Sequence, residues 1–155
     1  MNVAESAATQ TLDFRRAVMA VCAEATLDEL SAALEGLAPV PEAEDLRRCE
    51  TGLVMLRGRV GGEGVPFNLG EACVTRAAIR LATGEIGFSY QLGRDAAKAR
   101  TAAIIDGLAQ MPERQKALES ALDSIRSRLA DERNMQARRT AATRVNFFTL
   151  VRGED

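Results

Sequence analysis

The stretch ACVTRAAIRLATGEIGFSYQL, residues 72–92, decides the fold class. Its first half puts Cys73, Thr75, Ala77, Ile79 and Leu81 on one face of a strand, with Arg76 and Arg80 opposite. Its second half alternates as cleanly, Ile86, Phe88, Tyr90 and Leu92 against Glu85, Gly87, Ser89 and Gln91. Thr83-Gly84 between them suits a two-residue hairpin turn, weaker than Asn-Gly because threonine resists φ > 0. Upstream, GLVMLRGRV (52–60) gives a further strand, with Val54, Leu56, Gly58 and Val60 opposed to Leu53, Met55, Arg57 and Arg59. The expectation is an antiparallel sheet with one apolar face, and such a face must be covered by helices. Phe88 and Tyr90 are expected in that core.

The flanks supply the helices. Phe14, Val18, Val21, Cys22 and Ala25 make one apolar stripe on a helix over about residues 11–25. Thr26 to Glu29 reads as a capping box: the threonine hydroxyl accepts from the Glu29 amide and the glutamate reaches back. A second helix follows, with Leu30, Leu34 and Leu37 inward, and ends near Gly36. Pro39 and Pro41 then enforce an extended linker. Beyond the sheet, Asp95 is a good N-cap for a helix carrying Ala97, Thr101, Ile104, Ile105 and Leu108. Pro112 can start another, striped by Leu118, Leu122, Ile125 and Leu129. Residues 133–144 are polar and ambiguous, and VNFFTLV (145–151) is expected to be a last strand. The fold class is therefore α+β: an N-terminal helical hairpin, an antiparallel sheet covered by helices, and a C-terminal strand. A chain of 155 residues fits one domain, with residues 1–10 expected to be disordered.

Composition removes several function classes. The net charge is −2, too little positive charge for a generic nucleic-acid coat. There is no histidine, which excludes a Ser–His–Asp triad, a Cys–His pair and His-ligated zinc. Cys22, Cys49 and Cys73 are scattered, form no metal pair and fit a reducing cytoplasm. No stretch reaches the roughly 18 apolar residues of a membrane helix. Charge is uneven, −6 over residues 1–50 and +5 over residues 126–152, a pattern that suits partner surfaces.

The most unusual segment is GRVGGEGVPFNLGE (58–71). Its glycine amides at Gly61, Gly62 and Gly64, with Arg57 or Arg59 beside them, could cradle an anion. It is not a P-loop, since no G-K-[ST] follows, and the dinucleotide spacing G-x-G-x-x-G is absent. The same glycines equally suit a docking loop or a long kinked connection. Arg57, Arg59, Arg76 and Arg80 could form a basic stripe on the outer sheet face, where cross-strand ion pairs are commoner than ligand clamps. Phe147 and Phe148 are read as core. No catalytic residue and no metal site emerges from the residues alone.

Five segments resemble a known family. ETGLVMLRGRVGGEGVPFNLGE (50–71), VTRAAIRL (74–81), LGRD (92–95), IIDGL (104–108) and TRVNFFTLVRGED (143–155) are similar, in order, to the PhnG family of the bacterial carbon–phosphorus lyase system. The resemblance implies a non-autonomous subunit of a core complex with PhnI, PhnJ and PhnH, and PhnL transiently. That complex transfers ribose triphosphate from ATP to methylphosphonate, displacing adenine. ATP and methylphosphonate are then substrates of the complex, and no cofactor belongs to this chain. The role implied is mainly structural. The alternative is direct contribution of phosphate-binding arginines and amides to a shared active site. Candidate residues for phosphate binding or partner docking are Arg57, Arg59, Gly61, Gly62, Gly64 and Asn68, with Glu71, Arg76, Arg144, Phe147, Phe148 and Arg152. The chain departs from the family pattern at Val18 for a tryptophan, Lys98 for a histidine and Asn146 for an acid, with a milder change at Phe88 and Tyr90. The missing histidine and acid argue against a required proton-transfer role at those two positions.

Overall fold

The computed structural model describes residues 3–144, with side chains from Thr9 onward. In chain order the elements are α1 (Val3–Glu24), α2 (Leu27–Gly36), β1 (Ala43–Arg59), β2 (Pro66–Leu81), β3 (Ile86–Leu92), α3 (Ala96–Ala109) and α4 (Pro112–Ala142). The strands form one antiparallel sheet in the order β1-β2-β3. The expected strand over 145–151, with Phe147 and Phe148, lies outside the described residues, as does Arg152.

Local signals set the helices. Val18, Val21, Cys22 and Ala25 of the first stripe are buried, and α1 extends back to Val3, into the segment expected to be disordered. The capping box at α2 is closed both ways, Glu29 N to Thr26 Oγ1 at 3.2 Å and Thr26 N to Glu29 Oε2 at 2.8 Å. Asp95 caps α3 through the Lys98 amide at 2.8 Å. Leu118, Leu122, Ile125 and Leu129 of α4 are all buried. Of residues 133–144, read as ambiguous from sequence, 133–142 continue the same helix, and every residue of the segment is exposed.

Helix α3 is the hub. It lies on the sheet, and α1, α2 and α4 pack around it, so every residue from Ala102 to Ala109 is buried. Its small residues permit the close approach. A Cβ on Gly87 of β3 would sit 1.9 Å from the Ala103 carbonyl oxygen, and one on Gly107 would sit 2.9 Å from Leu81 Cδ1.

That approach corrects the reading of β3. Gly87, Ser89 and Gln91 face α3 and are buried, whereas Phe88, Tyr90 and Leu92 are exposed on the other face. The register requires it: Ile79, Ala77 and Thr75 point inward and pair with Gly87, Ser89 and Gln91. A helix can lie this close only on the glycine side of the strand. Phe88 and Tyr90 are therefore surface residues. The β2–β3 turn also differs. Gly84 N bonds Leu81 O at 2.8 Å and Leu81 N bonds Glu85 O at 2.9 Å, leaving a three-residue loop with Gly84 at φ +109°. Thr83 thereby avoids positive φ.

β1 starts at Ala43, well before the expected strand. Register shifts between Asp45 and Arg47 and between Arg47 and Glu50 break the alternation there, and the charged run suits an edge strand. Pairing with β3 stops at Val74. Beyond it Gly52–Arg59 and Pro66–Cys73 run on as a two-stranded arm of roughly 25 Å at about 3.4 Å per residue. No residue of that arm is buried.

Candidate functional site

The glycine-rich block forms the tip of the arm. Gly61 and Gly62 take φ +61° and +83°, and Gly64 N closes the turn on Val60 O at 3.0 Å. Arg59 Nη1 donates to Gly64 O at 3.3 Å. Turn geometry accounts for Gly61 and Gly62, and the Gly64 amide already has its acceptor.

The sides of the arm are apolar on both faces. Leu53 and Met55 lie on the face continuous with the core, while Val54 and Leu56 lie on the other, and Leu53 and Leu69 are 61% and 66% exposed. Arg57 follows Met55 on the first face, and Asn68 stands opposite Arg57 across the pair. Glu71 stands opposite Met55. Between Leu56 and Arg57 the register shifts by one because β2 carries an extra residue.

The basic stripe expected of four arginines does not assemble. Arg57 and Arg59 share the face of Thr51 by strict alternation along β1, whereas Arg76 and Arg80 lie on the opposite, outer face. Arg57 and Arg76 are also about 25 Å apart along the strands, with Asn68 as the cross-strand reference for Arg57. Arg76 is already engaged: its Nη2 and Nε donate to Glu50 Oε2 at 2.6 and 3.1 Å. That bond, then the contact with Tyr90, raises the Arg76 pKa, and Arg76 in turn lowers that of Glu50. Arg144 sits past the C-terminus of α4, far along the chain from the arm and exposed.

Sequence reading missed a buried polar knot. Asp106 of α3 is 3% exposed and accepts from Arg15 Nε at 2.9 Å, Arg15 Nη2 at 2.8 Å and the Phe88 amide at 2.9 Å. Gln110 donates to Ile86 O at 2.8 Å. Together they tie α1 to α3 and close part of the free edge of β3. The only signal in the sequence was an acid inside the otherwise apolar IIDGL. Lys98, where the resembling family has a histidine, donates to Ala23 O at 2.9 Å and caps the end of α1.

Burial, then the charge of Asp106, pushes the Cys22 thiol up to about 12. A thiol whose pKa is higher folded than unfolded stabilises the fold below its ordinary value of 9.0, and that stability is lost as pH rises toward 12. We expect unfolding midpoints in urea to fall over this range, and to fall less in Cys22→Ala. At pH 8 a thiol-specific alkylating reagent should label the half-buried Cys49 and Cys73 and spare Cys22. Rapid labelling of all three in the native chain would contradict this burial.

Among the described residues no helix is long and apolar enough to cross a membrane, and no group of three His, Cys, Asp or Glu side chains could hold a metal. Residues 13–153 match the family model described as "Phosphonate metabolism protein PhnG". A relative from Rhizobium meliloti (strain 1021), named as the PhnG subunit of alpha-D-ribose 1-methylphosphonate 5-triphosphate synthase, is 48% identical over 155 residues. The alignment covers 100% of this chain and 99% of the relative.

Proposed function

Since this chain belongs to the PhnG family of phosphonate metabolism proteins, we propose that it acts as a non-autonomous subunit of the synthase that joins ATP-derived ribose triphosphate to methylphosphonate. Its role is assembly. The partners that fit are PhnI, PhnJ and PhnH, with PhnL engaged transiently, in the cytoplasm where ATP is available. In this reading ATP and methylphosphonate are held by the complex, and this chain brings no cofactor.

The arm carries the proposal. A two-stranded ribbon with apolar side chains on both faces is marginal alone in water, and among the described residues no third strand or helix covers it. Insertion between partner surfaces would supply both. We expect co-expression with PhnI, PhnJ and PhnH to yield one assembly by size exclusion with light scattering. The double variant Leu53→Asp, Leu69→Asp should fold but weaken entry by at least about 2 kcal/mol, some thirtyfold in affinity. Full incorporation of that variant, or a wild-type chain that stays a monomer beside its partners, would overturn the assembly role.

A second reading has Arg57 and Arg59, on one face beside the tip, contacting phosphate in a shared site. Arg59→Ala in the intact complex separates the two: lost turnover favours that contribution, and unchanged turnover leaves docking alone.

A further inference from the structure

We infer that the outer face of the sheet, beside β3, is a second docking surface that takes an apolar segment of another subunit anchored by a carboxylate. The inference rests on the assembly role and adds a surface distinct from the arm. Its basis is the inverted burial of β3, which hides Gly87, Ser89 and Gln91 and exposes Phe88, Tyr90 and Leu92. Those three are aligned by register with small or basic neighbours: Phe88 with Ala78 and Arg47, Tyr90 with Arg76, and Leu92 with Val74. Among the described residues no element covers this face.

Charge identifies the anchor. Arg76 is paired with Glu50, whereas Arg47, whose charge also acts on Glu50, makes no hydrogen bond or ion pair of its own among the described residues. Arg47, Arg76, Phe88 and Tyr90 surround a recess of about 180 Å³ floored by Ala77 and Ala78. That is below the roughly 300 Å³ at which small-molecule sites begin, and it suits one acidic side chain. The apolar surface continues past it over Leu92, so the occupant is a polypeptide segment rather than a free anion. An Asp or Glu flanked by apolar residues would meet Arg47 with its carboxylate and cover the aromatic rings with its neighbours.

The test places a photo-crosslinking residue at Tyr90 in the co-expressed complex, with mass spectrometry of the linked peptide. The expected product joins position 90 to a segment of PhnI, PhnJ or PhnH that carries an Asp or Glu among apolar residues. Arg47→Glu should lower recovery of this chain in the complex at least tenfold with its own thermal midpoint unchanged. Replacing the crosslinked acid by Arg should restore it. Crosslinks to a second copy of this chain, none to polypeptide in a fully assembled complex, or undiminished recovery of Arg47→Glu would each overturn the outer-face surface while leaving the arm's role standing. A wild-type chain that enters no complex would overturn both.

Discussion

Gly87→Ala is expected to destabilise the fold by about 3 kcal/mol, the upper end for an overpacked site. The added methyl would stand 1.9 Å from the Ala103 carbonyl oxygen and 2.8 Å from the Gly107 amide nitrogen, both backbone atoms of α3. Neither can rotate away as a side chain could. The helix would have to lift from the sheet, and because it is the hub on which α1, α2 and α4 pack, the whole core would loosen with it. Urea unfolding followed by circular dichroism measures this directly. A loss below about 1 kcal/mol would mean that α3 does not ride on β3 at Gly87.

Asp106→Ala is expected to cost about 3 kcal/mol, within the range for breaking a buried ion pair. The carboxylate is almost wholly buried, while the Arg15 side chain is 27% exposed, so water recovers part of the loss on the arginine side only. The Phe88 amide would also lose its acceptor at the edge of β3. Arg15→Ala tests the partner, and the double variant completes the cycle. The coupling should lie at about 1–3 kcal/mol. Strict additivity would show that the two-pronged contact between α1 and α3 contributes nothing of its own.

The candidate residues were legible in kind and less so in arrangement. The sequence distinguished the glycine-rich block as exceptional, and it proves to be the tip of a projecting hairpin. It could not tell that Arg57 and Arg76 occupy opposite faces, because that follows from the cross-strand register, Thr51 against Thr75, which leaves no trace in local composition. Nor could it find Arg15 with Asp106, which meet across 91 residues of chain.

Short-range physics made the helices readable. Apolar stripes, the Thr26–Glu29 box, the Asp95 cap and Pro112 at the start of α4 all act within one or two turns, so their residues sit together in the sequence. Antiparallel pairing of β2 with β3 was readable for the same reason, as was the family pattern carried by segments spread along the chain. The direction each strand face points was decided only in three dimensions. Alternation defines two faces but does not say which one meets a helix. In β3 hydrophobicity favoured the face of Phe88 and Tyr90, yet the register with β2 and the approach of α3 at Gly87 turned Ser89 and Gln91 inward. Likewise, the strands β1 and β2 exceed what the helices can cover, and only the packed structure shows where the core ends and the arm begins.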